Sequence, residues 1–260
     1  MMYGAVCWVS LAPVYVSNQF RSEQFTQLLR GDWVEVLEEQ GVWARIRACW
    51  NGDSGWVLKG QLKVDTKCDL VGLGSMALSE LYMPGEWFTK PTSGMQVFHD
   101  TWRTNYEHYS LAGTSQSLSF EYKQAASVPG IAEQLHEFKI ALNAAPYQWG
   151  GMSRHGIDCS GLVQLFYRYR GIPLPHAASQ QAKIGTVVDF MTEALPGDLA
   201  FFADDEGQIV HVGILMSSDT ILHASASGGA VQVDAIDWQG IVNRQGERTH
   251  HLRIIRRLEY

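Results

Sequence analysis

Tyr147-Gln148-Trp149-Gly150-Gly151-Met152-Ser153-Arg154-His155-Gly156-Ile157-Asp158-Cys159-Ser160-Gly161 sets one cysteine between Asp158 and Ser160, after a glycine-rich turn and directly before a segment of helical periodicity. Leu162, Val163, Leu165, Phe166 and Tyr169 recur at helical spacing, Arg168 and Arg170 fall in the last turn, and Gly171 and Pro173 stop the segment. A thiol at a helix start meets unpaired N–H groups and the positive end of the dipole, which favour the thiolate. Two histidines follow on apolar runs, His211 in Val210-His211-Val212-Gly213-Ile214 and His223 in Ile221-Leu222-His223-Ala224-Ser225. The turn Ser217-Ser218-Asp219 between them predicts a hairpin, with the imidazoles as cross-strand neighbours whose Cβ atoms lie about 5 Å apart. A thiol, an imidazole and a polar group that orients the imidazole are the parts of a cysteine nucleophile site.

Blander readings compete at each position. A lone Cys is more often a small buried apolar residue, but polar Asp158 and Ser160 argue against an apolar site here. A His in an apolar strand is usually a satisfied core residue; His211, near the start of its run, is expected at a sheet edge or cleft. A zinc site of Cys159, His211 and His223 lacks a short-range ligand pair to anchor it. The Gly150-Gly151 pair offers close backbone approach for a substrate.

Upstream, the chain changes character. Asp32-Trp33-Val34-Glu35-Val36-Leu37 and Val42-Trp43-Ala44-Arg45-Ile46-Arg47 alternate with period two, and Glu38-Glu39-Gln40-Gly41 between them is expected as the hairpin turn. With the turn Asn51-Gly52-Asp53-Ser54-Gly55 and the run Trp56-Val57-Leu58, roughly five short strands predict a small β-barrel over residues 1–65. Residues 66–125 carry turn chemistry and read as a second, degenerate barrel or a linker. Residues 126–260 open on an amphipathic helix from Gly130 to Asn143, with Ile131, Leu135, Phe138 and Leu142 on one face. A short helix is expected from Ser179 to Ile184. Strands follow at 199–202, 210–216, 220–223, 231–233 and 252–256, so the class is α+β.

Composition narrows the functions. With 46% apolar and 18% charged residues the chain can bury a real core. A net charge of −7 argues against a nucleic-acid footprint. No long apolar run suggests a membrane helix. The opening stretch, with no Lys or Arg before Arg21, reads better as a strand than as a signal peptide, so a cytoplasmic location is expected. Cys7, Cys49, Cys68 and Cys159 lack CxxC spacing, which fits a reducing compartment and implies no structural metal.

Tyr147-x-Trp149-Gly150-Gly151, Asp158-Cys159-Ser160-Gly161-Leu162-Val163, Leu195-Pro196-Gly197-Asp198-Leu199 with Phe201-Phe202, His211-Val212-Gly213-Ile214 and His223-Ala224-Ser225 appear in that order. Together they resemble the NlpC-type cell-wall cysteine peptidases, a papain-like family, over about residues 130 to 260. The segment before residue 65 resembles the bacterial SH3-like domains that accompany cell-wall hydrolases. The resemblance implies a papain-like fold with Cys159 as nucleophile, His211 as general base and then acid, and His223 as the orienting third residue. It implies that the Tyr147 hydroxyl helps the Cys159 N–H hold the oxyanion; aromatic packing is the alternative.

A narrower resemblance is to the γ-D-glutamyl-L-diamino acid endopeptidases that recycle wall peptides. It implies a murein peptide as partner, with its free L-Ala amine held by Asp158 and the companion Ser160. Asp158 as a plain helix N-cap is the competing reading. Trp50 is expected in a wall that the SH3-like barrel sets across the cleft, and Ser179 and Gln180 are further substrate-site candidates. His176 departs from a family position often held by arginine. No metal or cofactor is implied, and a monomer is expected. An amidase or acyltransferase on the same fold, or a wall-binding module with an inactive catalytic domain, are the alternatives.

Overall fold

The computed structural model describes residues 3–64, 130–170 and 172–258; the expected second barrel or linker over 66–125 lies outside the described residues. Two units emerge, Met1–Val128 with Tyr169–Pro173, and Pro129–Arg168 with Leu174–Tyr260.

The first unit is built from β1 (Tyr3–Cys7), β2 (Leu11–Tyr15), β3 (Gln24–Leu29), β4 (Trp33–Gln40), β5 (Trp43–Ala48), β6 (Ser54–Leu58) and β7 (Leu62–Val64), in the sheet order β3-β2-β6-β5-β4-β1-β7. Period-two patterning explains the central pair. Val34, Val36, Ala44 and Ile46 are buried while Arg45 and Arg47 stay exposed, so one face of the bent sheet becomes the core. The expected hairpin turn sits later than its sequence suggests. Pairing continues to Gln40 opposite Trp43, and the chain reverses at Gly41, whose φ of +58° favours glycine. Glu38 and Glu39 are strand residues paired with Arg45 and Ala44 of β5, and Glu39 also accepts from Lys59 Nζ at 2.7 Å and Tyr3 Oη at 2.6 Å.

The second unit is α+β, as its order of elements predicts. Helix α1 (Ile131–Ala141) precedes a small pair, β8 (Met152–Ser153) and β9 (Gly156–Ile157), then α2 (Cys159–Tyr169) and the short α3 (Ala178–Gln181). The strands β10 (Thr186–Val188), β11 (Leu199–Ala203), β12 (Ile209–Leu215), β13 (Thr220–Ser225), β14 (Ala230–Asp237), β15 (Gly240–Val242) and β16 (Arg248–Arg257) complete it. Their order is β10-β16-β11-β12-β13-β14-β15, with β15 also pairing back to β16, so the sheet curls onto itself. Leu199-Ala200-Phe201-Phe202 is continuously apolar because both faces of β11 are buried. Phe138 of α1 meets Phe166 of α2 with ring centroids 5.2 Å apart, each on the apolar face that its helical spacing predicts.

One face of the curled sheet joins Ala200, Phe202, Leu215, Ile221, Ile236, Ile241 and Ile255 in an apolar cluster. Alternation along the strands puts His211, His223 and Asp234 on that same face, with His211 at the far end of β12 from Leu215 and Asp234 directly opposite Ile221. The site therefore grows out of the core. Among the described residues, no helix is long and apolar enough to cross a membrane.

Candidate active site

Cys159 is the first residue of α2 and is 7% exposed. Asp158, just before it, closes the helix start: Oδ1 accepts the Gly161 N–H at 2.6 Å and the Ser160 hydroxyl at 3.0 Å, and Oδ2 accepts the Gly150 N–H at 2.7 Å. The first is the N-cap bond, and the last ties the glycine turn to the helix start. The turn lies so close that a Cβ on Gly161 would sit 2.2 Å from the Gly151 carbonyl oxygen. The close approach expected of the Gly150-Gly151 pair is thus protein backbone against protein backbone.

Burial, together with the Asp158 charge, pushes the Cys159 thiol up to about 12, while the N–H groups of Val212, Ser160 and Cys159 itself pull it down. The helix-start donors act in the direction the sequence suggests, but desolvation outweighs them. His211, 5% exposed, is held well below its ordinary range by burial and by His223 and His250 beside it. The resting pair is accordingly a neutral thiol and a neutral imidazole. Val212, whose N–H faces the thiol, is the residue after His211, so β12 brings the imidazole to the helix start.

His211 Nε2 lies 2.9 Å from His223 Nδ1. The residues are diagonal neighbours: the register Ile214–Leu222 and Leu215–Ile221, carried on, sets Gly213 opposite His223. Imidazoles span the longer diagonal, which Cβ atoms in contact would not require. Because these nitrogens face each other, the two rings do not converge on a common point as zinc ligands would. Among the described residues, no group of His, Cys, Asp or Glu is arranged to hold a metal ion.

Three neighbours of the imidazoles are not announced by the sequence. His250 on β16 stacks on His211 with centroids 4.1 Å apart and planes 25° apart. Asp234 on β14 places Oδ2 3.1 Å from His223 Nε2, and Gln232 Nε2 donates to the same oxygen at 2.6 Å. The available signal was Gln232 and Asp234 at alternate positions among the apolar residues of β14, the first directly opposite His223.

Tyr147 is half-buried and bridges to Ile157, next to Asp158. Burial, then the charges of Cys159 and Asp158, push its hydroxyl up to about 12, so it stays protonated within electrostatic reach of both. Ser160 is 6% exposed and bound to Asp158. His176 is 6% exposed, with Nε2 3.7 Å from Asp158 Oδ2 and Nδ1 3.2 Å from Gln164 Oε1, so this position bears on Asp158 directly. Ser179 and Gln180 lie exposed on α3, which packs on β12. Trp50 belongs to the first unit, where its side chain is 9% exposed and lines a small, partly open pocket with Val14, Thr26, Leu28 and Ile46. The Leu195-Pro196-Gly197-Asp198-Leu199 motif is structural: Asp198 caps the turn at Leu195 N and pairs with Arg257 at 2.7 Å, and Tyr167 Oη donates to the Gly197 carbonyl.

The NlpC/P60 family matches residues 144–247, and the bacterial dipeptidyl-peptidase SH3 domain matches residues 14–62. The chain is 30% identical over 226 residues to the gamma-D-glutamyl-L-lysine dipeptidyl-peptidase of Bacillus subtilis (strain 168), covering 80% of this chain and 74% of that one. It is 41% identical over 116 residues to the "Probable endopeptidase NlpC" of Escherichia coli (strain K12), covering 43% of this chain and 72% of that one. The crystal structure of an NlpC/P60 family protein from Bacillus cereus ATCC 10987 shares the fold, with a TM-score of 0.66 at 19% identity over 98% of this chain and 99% of that one. With a cysteine at a helix start and paired imidazoles on the facing sheet, the chain belongs to the NlpC/P60 family of cysteine peptidases.

Proposed function

We propose that the protein hydrolyses the amide between γ-D-Glu and a diamino acid in short murein peptides that begin with a free L-Ala amine, as a wall-peptide recycling enzyme. The observation that carries this reading is the Asp158–Ser160 pair flanking the nucleophile. The Asp158 carboxylate is 2% exposed, and among the described residues its contacts are N–H and O–H donors and His176, without a Lys or Arg ion pair. A buried carboxylate without a permanent cation is a receptor for an incoming ammonium. Because Ser160 already donates to Asp158, its oxygen is the atom that accepts from the ammonium and passes the charge contact on. The name of the Bacillus subtilis relative, which aligns across both matched domains, supports the choice of bond.

His211 takes the thiol proton on Nδ1, the ring nitrogen not engaged by His223, as Cys159 Sγ attacks the γ-carbonyl carbon. The oxyanion faces the Cys159 N–H and the Tyr147 hydroxyl. Collapse forms a thioester while the departing amine takes the proton from His211. Water, deprotonated by the same ring, releases the γ-D-Glu carboxylate and restores the thiol.

The test is mass spectrometry of L-Ala-γ-D-Glu-diaminopimelate, its Lys counterpart and N-acetylated twins, incubated with wild type and Cys159→Ala. Cleavage confined to free-amine peptides and lost in the variant is expected. Equal cleavage of acetylated peptides overturns the amine anchor. Cleavage retained by Cys159→Ala overturns the nucleophile, and preferential transfer of the acyl group to an added amine makes the protein a transferase.

A further inference from the structure

We propose that Asp234 is a positioning residue for the reaction: through His223 it fixes the tautomers of both imidazoles and stabilises the charge that His211 acquires when it takes the thiol proton. The proposal rests on Cys159 and His211 being the reacting pair, and extends the chain behind them by one member.

Counting donors and acceptors along the chain places each proton. An ionised carboxylate only accepts, and Asp234 is held below the ordinary carboxylate range chiefly by its hydrogen bond with His223. His223 Nε2, 3.1 Å from Asp234 Oδ2, must therefore carry the proton. A neutral imidazole has one N–H, so His223 Nδ1 is a lone pair and accepts across the 2.9 Å contact from His211 Nε2. That contact consumes the single N–H of neutral His211 and leaves its Nδ1 as a lone pair, the form a general base needs. Without Asp234 the opposite protonation of His223 becomes equally accessible. His223 Nδ1–H would then donate to His211 Nε2 and leave Nδ1 of His211 protonated, unable to take the thiol proton.

Burial makes the carboxylate's charge count. The side chains of His223 and Asp234 are 0% and 1% exposed, so little water screens the negative charge from the imidazolium that forms two contacts away. Gln232 fixes the carboxylate rather than the ring, its Nε2 donating to the same Oδ2 at 2.6 Å. Among the described residues, the other ionisable groups bearing on the pair are His250 from β16, which also stacks on His211, and Arg244, which acts on Asp234.

The experiment compares wild type, Asp234→Asn and Asp234→Leu by kcat and KM on the free peptide, and by the pH profile of Cys159 alkylation with iodoacetamide. The asparagine oxygen can still accept from His223 and Gln232, so Asp234→Asn keeps the geometry and removes the charge. Its kcat is expected to fall by about tenfold or more with KM held within about twofold, and alkylation near pH 6 to slow by a similar factor. Asp234→Leu, which also frees the tautomer, is expected to fall further. A profile and kcat for Asp234→Asn that superpose on wild type overturn the proposal. Because variants at a buried site can misfold, ¹⁵N NMR of the wild-type imidazoles provides an independent test. Both rings protonated on Nε2 at neutral pH is the expected result, and Nδ1 protonation of either one overturns it. Absent turnover in the wild type itself would instead fault the reacting pair.

Discussion

Gly213 stands opposite His223, and a Cβ at that position would lie 3.0 Å from the His223 Cβ and 2.7 Å from Ile221 Cδ1. The Ile221 methyl can swing aside, whereas the His223 Cβ is fixed to its strand. The missing side chain is what lets His223 lean across toward His211. Gly213→Ala is expected to cost about 1–3 kcal/mol of stability. Its kcat should fall by about tenfold or more, since small misplacements of reacting groups are costly. Wild-type kcat in a variant that unfolds earlier in urea would show that the glycine serves packing alone.

His223 needs only an acceptor toward His211 and a donor toward Asp234. Asparagine offers both in a shorter side chain, whereas leucine offers neither. His223→Asn is expected to keep measurable activity, and His223→Leu to lose about 10³-fold or more in kcat. Equal activities for the two variants would remove hydrogen bonding as the reason for this residue.

His250 presents its flat face to His211, and burial, more than the charge of His223, holds its own pKa down at about 4. Around neutral pH it is an uncharged wall rather than a proton carrier. His250→Phe should therefore stay within about threefold of wild-type kcat, while His250→Ala, which frees the His211 ring, should lose about tenfold. Loss of activity in both to the same extent would assign chemistry to its ring nitrogens.

The same imidazoles set an acid limb on stability. His211 and His250 have folded-state pKa values below their ordinary 6.5, so the unfolded chain binds protons that the folded chain refuses. Their contribution is flat above about pH 6.5, and stability falls as pH drops below it, for His250 down to about 4. Asp234, lowered from 3.8, adds a loss of the same sign as pH falls through its folded value. Urea denaturation near pH 5 and near neutrality should show the decline. His250→Phe should recover about 1 kcal/mol of it, allowing for solvent screening of a half-buried ring. Identical declines in both proteins would refute this assignment.

Much of this was legible in local pattern. The helix start at Cys159 and its end before Gly171 follow from spacing and stop signals, and the hairpin joining His211 to His223 follows from apolar runs around a polar turn. Errors came where pairing overrides local chemistry. Glu38 and Glu39 look like turn residues but pair with β5 as part of β4, and Glu39 is also bound by Tyr3 and Lys59, distant in sequence. Thr186–Val188 and Gly240–Val242 are too short to announce themselves and exist as strands because β16 pairs with both.

The sequence by itself determined the family, the α+β class, the helix start at Cys159 and the hairpin that brings His211 to His223, because ordered motifs and hydrophobic period are local properties of the chain. Only the tertiary structure decided that Asp234 lies behind His223, that His250 stacks on His211, and that Asp158 serves the helix start before anything else. Each of these joins residues from different strands or from a turn and a helix, and which pairs meet depends on sheet order and register. Tertiary burial also decided the resting charge of the site. The helix start favours a thiolate, yet enclosure by β12 and its neighbours withdraws water from Cys159 and His211 together, and desolvation outweighs the dipole.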